Sequence, residues 1–209
     1  MQADSFTTAS TPSRALYGPR NISGGEFIYG AGKEGIAWRI RSGAVRLDRI
    51  SSIPGSPSGT ETRSFAGLAL AGDVIGAETL LFGHYSFEAH ALGNGTLEPW
   101  LAPETALSGE SLLQTLAAAE RRAADALSLR VGEAFGRVRQ LILLLARERS
   151  NAAVKLISIP GLRDMAEMTG LTVETVSRAI SHLRKSGLLQ KNGRHSALVF
   201  PGSDAAMPG

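Results

Sequence analysis

The chain comprises 209 residues, of which 43% are hydrophobic and 20% are charged, a balance typical of a soluble globular protein with a buried core. It has no run of about 18 apolar residues, and its first residues lack the charged head and apolar core of a signal peptide, so we expect a cytoplasmic chain with no membrane partner. Because the sequence contains no cysteine, disulfides, thiolate metal sites and iron–sulfur clusters are excluded.

Charge is distributed unevenly along the chain. Residues 1–107 carry 8 lysine and arginine residues against 10 aspartate and glutamate residues, whereas residues 108–209 carry 14 against 9. The positive excess is concentrated in residues 150–200, which contain 7 basic and 3 acidic side chains. A basic C-terminal part beside a slightly acidic N-terminal part is typical of a chain in which one domain faces nucleic acid.

The N-terminal part has the pattern of an all-β domain. Residues 1–15 are rich in serine and threonine and are predicted to form a mobile tail. Residues 16–108 contain most of the glycines, which separate short apolar runs at a spacing of about ten residues and so predict an antiparallel barrel or sandwich. A helical turn is expected at Glu78–Phe82. The predicted strands are Glu26–Tyr29, Ile36–Ile40, Ala44–Leu47, Arg63–Leu70 and Phe87–Leu92.

The periodicity changes to that of a helix at residues 109–130. Apolar and small side chains recur there at helical spacing, while Arg121, Arg122 and Arg130 lie off this stripe. A helix that packs only against its own domain needs one apolar stripe. A second apolar stripe on the same helix therefore predicts contact with a partner chain and a dimerisation helix. The alternative is a helix packed only within its own domain. The dimerisation stripe consists of Leu112, Leu116, Ala119, Ala123 and Leu127.

The strongest local signal lies in residues 131–209, where two short helices are joined by a turn that contains a glycine. Gly170 can adopt a positive φ and end the first helix, and Thr172 can cap the second. Helices in this arrangement form a helix-turn-helix. The predicted inner faces are Leu162, Met165, Ala166 and Met168 in the first helix and Val173, Val176, Ile180 and Leu183 in the second.

The other face of the second helix carries Glu174, Ser177 and Arg178, which supply an acceptor, a hydroxyl and a guanidinium. These groups can read base edges in the major groove of DNA. Downstream, the Asn192-Gly193 pair predicts a hairpin whose returning strand runs from His195 to Phe200. A hairpin directly after the second helix is a wing. The order helix, turn, helix, wing therefore predicts DNA binding.

The stretch Leu171–Arg178, which reads L-T-V-E-T-V-S-R, resembles the start of the recognition helix in the cyclic-AMP receptor protein/FNR family of bacterial transcription regulators. The combination of Glu174, Ser177 and Arg178 is similar to the FNR/FixK branch, whose members contact a TTGA-type half-site with these residues. The resemblance implies that Arg178 would bind guanine O6 and N7, that Glu174 would accept from cytosine N4, and that Ser177 would lie beside a neighbouring pair.

The resemblance extends to the N-terminal part. Trp38–Leu47 and Gly72–Gly76 are similar to the cyclic-nucleotide-binding β-roll of the same family. The implied architecture is α+β, with an antiparallel β-roll at 16–108, a long dimerisation helix at 109–130 and a C-terminal winged helix-turn-helix at 131–209.

The same resemblance implies three partners for the chain. They are double-stranded promoter DNA with a palindromic site, RNA polymerase and a second copy of the chain. Two recognition helices in successive major grooves favour a twofold dimer. Further side chains are candidates for contacts with the DNA backbone or with flanking bases. They are Arg163, Thr172, Thr175, Ser181, Lys191 and Arg194.

The effector pocket departs from the family pattern. Nucleotide-binding members hold ribose and cyclic phosphate with a Gly-Glu-Leu segment and a later Arg-Ser/Thr pair. Here Gly76-Ala77-Glu78 places the glutamate one position late, and Tyr85-Ser86 lacks the arginine. Since residues 72–97 contain no lysine or arginine, a buried phosphate would lack a cation, and we expect no dependence on cyclic AMP. The candidate pocket residues are Trp38, Gly76, Glu78, Tyr85 and Ser86.

Other interpretations are also open. His84 and His90 flank Glu88 and could ligate a metal or haem, although surface or hydrogen-bonded histidines are the alternative, and no cofactor is predicted otherwise. The chain could also be a small-molecule-binding β-roll protein whose winged helix mediates protein contacts. An enzyme is not expected, because the sequence shows no paired base and nucleophile, no metal-ligand cluster and no phosphate loop.

Overall fold

The computed structural model describes residues 18–52, 61–100, 109–147, 154–192 and 195–199. The predicted N-terminal tail and the tip of the predicted wing lie outside the described residues. In the part of the chain that is described, no helix is both long and apolar enough to cross a membrane.

Two four-stranded antiparallel sheets form the N-terminal domain. The strand order is β1-β8-β3-β6 in one sheet and β2-β7-β4-β5 in the other. Alternating side chains from both sheets enclose one apolar core, which includes Ile40, Val45, Ile75 and Leu97. The predicted β-roll is therefore confirmed. Its strands are β1 (Arg20–Ile22), β2 (Phe27–Tyr29), β3 (Trp38–Ser42), β4 (Ala44–Ser52), β5 (Glu61–Leu70), β6 (Val74–Ile75), β7 (Glu88–Ala91) and β8 (Gly95–Pro99).

Helices and a small sheet make up the rest of the described structure. The predicted helical turn is the short helix α1 (Thr79–Phe82), and the predicted long helix is α2 (Gly109–Ser128). A three-stranded sheet, ordered β10-β11-β9, lies beside three further helices. These elements are α3 (Ala134–Leu145), β9 (Val154–Ile157), α4 (Leu162–Thr169), α5 (Val173–Lys185), β10 (Leu189–Asn192) and β11 (His195–Val199).

A second apolar core joins the two parts of the molecule. The buried residues of α3, α4 and α5, among them Leu141, Met165 and Ile180, pack in one cluster with Leu68 of β5 and Leu92, which follows β7. The helical part is thus seated on the β-roll by apolar contact. This apolar contact determines the orientation of α4 and α5 relative to the β-roll.

Two predicted core residues are wrong. Leu162 and Val173 were expected on the inner faces of their helices, but they are 39% and 41% exposed. Each is the first residue of its helix, and at this end of the helix no neighbouring element covers the side chain fully. Helical periodicity gives the direction of a side chain, but it does not say whether a neighbouring element reaches that far.

Candidate nucleic-acid interface

The turn between α4 and α5 is built as the sequence predicts. Gly170 ends α4 with φ 66°, and its N–H donates to the carbonyl of Ala166. This left-handed conformation is one that residues with a Cβ rarely adopt. Thr172 then caps α5, because its hydroxyl oxygen accepts from the N–H of Thr175 at 3.3 Å. The two helices are therefore held at a fixed angle by local chemistry.

Helix α5 has one covered face and one open face. Val176, Ala179, Ile180 and Leu183 are buried against α3 and α4. On the opposite side Glu174, Arg178 and Ser181 are exposed, while Thr175 and Ser177 are half-buried. The three predicted base-reading side chains therefore lie on the open side of one rigid helix, which is the geometry that major-groove reading requires.

The carboxylate of Glu174 is held in its charged form. Its own backbone N–H, the hydroxyl of Thr172 and the attraction of Arg178 lower the pKa of Glu174 below the usual range. An ionised carboxylate only accepts hydrogen bonds, whereas the guanidinium of Arg178, one helical turn later, only donates them. The open face thus offers an acceptor and a donor side by side.

Two arginines outside the motif hold the end of α4. Arg130 donates to the carbonyl of Glu167 at 2.8 Å, and Arg137 of α3 donates to the carbonyl of Thr169 at 3.2 Å. These carbonyls belong to the last turn of the helix and would otherwise lack intrahelical partners. Sequence reasoning missed both contacts, since nothing local in the sequence links these arginines to α4.

The predicted wing is present. Strands β10 and β11 pair in antiparallel register up to Asn192 opposite His195, and β9 adds a third strand that the sequence pattern did not predict. Lys191 is exposed near the end of β10, whereas Arg194 lies outside the described residues. Arg163 on α4 has an 89% exposed side chain whose Nε is 3.5 Å from Glu167. Their contacts with phosphate stay predictions.

Helix α2 presents an uncovered apolar face. Leu113, Leu116 and Leu127 are 67%, 57% and 68% exposed. Of the other predicted stripe residues, Ala119 is half-buried and Ala123 is exposed, and the side chain of Leu112 is not described. The opposite face is occupied, because Leu129 and Ala126 at the end of the helix are buried.

Ion pairs reinforce the occupied face of α2. Arg122 lies 3.6 Å from Asp73 of the β-roll, and Asp125 lies 2.7 Å from Arg147 beyond α3. The helix is therefore fixed to its own chain on one side and carries leucines on the other.

The candidate effector pocket is filled by the side chain of Tyr85. Its ring stacks on that of Tyr29 at 3.7 Å between centroids, and its hydroxyl bonds to both the N–H and the carbonyl of Ile36, at 3.1 and 2.8 Å. Gly35 and Gly76 make room for it, since a Cβ at either position would overlap the ring. Tyr85 is 4% exposed, so the space beside Gly76 is occupied by the chain itself.

The remaining pocket candidates lie around this tyrosine. Glu78 accepts from the N–H of Ser86 at 3.1 Å, which brings these two residues together. Burial, followed by the negative charge of Glu78, raises the pKa of the Tyr29 hydroxyl. Trp38 is buried in the same core and pairs with Ile75, the residue before Gly76. The carboxylate of Glu78 therefore borders this region, and the nearby cation of Arg122 is paired with Asp73.

The two histidines considered for a metal or haem have separate environments. The Nδ1 of His84 lies 2.8 Å from the carbonyl oxygen of Phe82. The Nε2 of His90 lies 3.4 Å from Glu88, and the ring packs edge-on against Phe27. Among the described residues, no group of three or more His, Cys, Asp and Glu side chains could hold a metal ion.

Comparisons with known proteins agree with this geometry. Residues 136–200 match the model of the Crp-like helix-turn-helix domain. FixK2 from Bradyrhizobium japonicum has a similar structure, with 25% identity and a TM-score of 0.63 over 87% of this chain and 91% of that chain. TTHB099, a CRP-family transcriptional regulator from Thermus thermophilus, gives 24% identity and a TM-score of 0.60 over 87% and 92%. The comparison with curated protein sequences gave no match.

A β-roll followed by a long helix and a winged helix-turn-helix is the fold of a transcription regulator with a helix-turn-helix DNA-binding domain. Residues 136–200 are therefore a Crp-like helix-turn-helix domain, and the chain shares its overall fold with regulators of the CRP/FNR family. Its assignment to the FNR/FixK branch stays a prediction.

Proposed function

We propose that this protein is a homodimeric regulator that binds a palindromic promoter site and needs no cyclic AMP. The observation that carries the proposal is the open face of α5, where Glu174, Ser177 and Arg178 project together from a helix whose other face is buried. Two such helices, related by a twofold axis, would enter successive major grooves about one helical turn apart. The bound dimer would then recruit or block RNA polymerase.

Base reading follows from the residue types on this face. Arg178 would bind guanine O6 and N7 as a fork, and Glu174 would accept from cytosine N4, which suits a TTGA-type half-site. Ser177 would lie beside the neighbouring pair. A second set of groups would position the protein on phosphates and flanking bases without reading the central sequence. These are Arg163, Thr172, Thr175, Ser181, Lys191 and Arg194.

The uncovered leucines of α2 support the dimer. Exposed apolar patches of this kind mark protein contact sites, and a second copy of α2 offers the same leucines in return. A dimer is also what a palindromic site demands, because each half-site needs its own recognition helix.

Charging this face should separate the protomers. Leu116→Lys combined with Leu127→Lys is expected to give a monomer, because the interface cannot bury two unpaired ammonium groups. Affinity for a palindromic site should fall by on the order of 10²-fold or more, since the second half-site is no longer linked to the first. Molar mass by light scattering and binding by fluorescence anisotropy would measure both effects.

The control for this pair is a single lysine on the same helix at an exposed position away from the leucines. Ala117 lies four residues after Leu113 and so borders the uncovered leucines, which makes Gln114→Lys the cleaner control, because Gln114 is exposed on another side of the helix. The Gln114→Lys variant should stay dimeric. A dimer that persists in the double leucine variant would contradict the proposed interface.

Independence from cyclic AMP is supported by the occupied pocket. Tyr85 fills the space beside Gly76, Glu78 adds negative charge, and residues 72–97 contain no lysine or arginine. A cyclic phosphate placed there would displace a well-packed ring and lie near the carboxylate of Glu78, while the neighbouring cation of Arg122 is already paired with Asp73.

Promoter binding by the purified protein without additives tests the proposed function. Binding to a palindromic TTGA-type site should be specific, with a Kd in the range of about 10⁻⁸–10⁻¹¹ M, and unchanged by added cyclic AMP. A duplex with scrambled half-sites is the control and should bind about 10³-fold or more weakly. Equal binding to both duplexes, or binding only with cyclic AMP, would overturn the proposal.

A further inference from the structure

A buried arginine links the β-roll to the helix-turn-helix. Arg46, on β4, has a side chain that is only 5% exposed, and each of its three guanidinium nitrogens meets a different carboxylate. Nε lies 2.9 Å from Asp48 in the same strand, Nη1 lies 3.3 Å from Asp164, and Nη2 lies 2.7 Å from Glu167. Asp164 and Glu167 both belong to α4, so one side chain spans the two domains.

The surroundings of Arg46 keep it charged. Burial alone would lower the pKa of Arg46, but hydrogen bonds from Arg46 to Asp48 and Glu167 and the attraction of both carboxylates outweigh burial and raise it. A buried guanidinium is costly unless all its donors are paired, so undocking α4 from the β-roll would strip it of two partners. A partly undocked state therefore leaves this guanidinium without two of its three carboxylate partners.

The contact also selects one orientation of α4. Asp164 and Glu167 are three residues apart and so lie on the same face of the helix. The planar fork of an arginine accommodates carboxylates only in defined directions, unlike the leucine contacts in the apolar part of the interface, which tolerate sliding. Rotation or translation of α4 on the β-roll would therefore break the paired geometry before it exposes the apolar core.

We propose that Arg46 is a positioning residue for DNA recognition, acting through Asp164 and Glu167 of α4. Helix α4 packs directly on α5, and Arg130 and Arg137 hold the end of α4, so fixing α4 fixes the reading face. The inference rests on the proposed dimeric DNA binding. In a dimer, this contact sets the relative orientation of two recognition helices, which matters for a palindromic site and not for a single half-site.

The test removes only the α4 side of the contact. Asp164→Asn combined with Glu167→Gln leaves the Arg46–Asp48 pair inside the β-roll, and both replaced side chains are 46% exposed, so the fold should be retained. The matched control is Glu26→Gln combined with Glu98→Gln. This control also removes two carboxylates that pair with arginines, Arg20 and Arg41, but both pairs lie within the β-roll.

The readout is the ratio of affinities for a palindromic duplex and a duplex with one half-site. Loss of two negative charges strengthens binding to any DNA, whatever its sequence. Because both duplexes gain this effect, it cancels in the ratio of their affinities. We expect the ratio to fall about tenfold in the α4 variant and to stay unchanged in the control. An unchanged ratio in the α4 variant would overturn the positioning role.

A distance measurement without DNA separates this inference from the proposed function. The chain has no cysteine, so spin labels can be placed through Arg49→Cys on β4 and Arg184→Cys on α5, both exposed. Labelled chains are diluted with unlabelled protein so that each dimer carries one pair. The distance distribution should be narrow in the parent and broad in the α4 variant. Equal widths of the two distance distributions would refute the positioning role of Arg46, even if DNA binding were established. Failure of the parent protein to bind DNA would refute only the proposed function.

Discussion

Arg178→Ala should cost about 1–3 kcal/mol of binding free energy at each half-site and relax the preference at one base pair. Arg178 is exposed on the open face of α5, one turn after Glu174, and its fork is the group best suited to guanine. A dimer loses two Arg178 guanidinium groups, so the loss of binding free energy for a palindromic site should be twice the loss for one half-site. Anisotropy titrations against duplexes with single-base changes in the half-site would measure it.

Lys191→Ala is the matched control for this prediction, because Lys191 is also exposed and basic but lies on the wing. Its loss should weaken all sequences alike and reduce the salt dependence by about one unit of slope for each protomer, or about two units for the dimer. If Arg178→Ala weakened cognate and scrambled duplexes equally, the arginine would be a phosphate contact, and the base-reading role would be wrong.

Tyr85→Ala should lower the free energy of unfolding by about 3–5 kcal/mol, because it removes a buried aromatic ring and leaves a cavity. The ring stacks on Tyr29 and lies against the two glycines, Gly35 and Gly76, which have no side chains to refill the space. Denaturant unfolding followed by tryptophan fluorescence would give the value.

The control is Tyr85→Phe, which keeps the ring and removes only the hydroxyl. Since that hydroxyl bonds to the N–H and carbonyl of Ile36, this variant should lose about 1–3 kcal/mol. A loss in Tyr85→Ala no larger than in Tyr85→Phe would mean that the ring does not fill the pocket, and the structural support for independence from cyclic AMP would be gone.

Local chemistry explains which parts of the fold could be predicted from the sequence. The turn at Gly170 and the cap at Thr172 depend on residues within four positions of each other, and both were predicted. The strands of the β-roll and the wing follow from alternation and from glycine-bearing turns. By contrast, β1, β8 and β9 were not predicted, because their short segments have no marked alternation and form only by pairing with distant strands.

Contacts over long sequence distances account for the rest of the candidate site. Tyr85 was named for its place in the motif, but its stacking on Tyr29 and its bonds to Ile36 join residues about fifty positions apart. Arg46 was not singled out at all, since its partners on α4 lie 118 or more residues away. A pattern within one segment carries no information on such neighbours.

The amino-acid sequence by itself determined the class of this protein, because helix caps, turns and amphipathic stripes act within a few residues and leave a readable pattern. It also placed Glu174, Ser177 and Arg178 on the face of α5 away from the core, although it wrongly placed Val173 toward the core. Only the tertiary structure decided that the effector pocket is filled and that one buried guanidinium ties α4 to the β-roll. Those features depend on which distant segments meet, and burial and pairing energies are set only once the chain has folded.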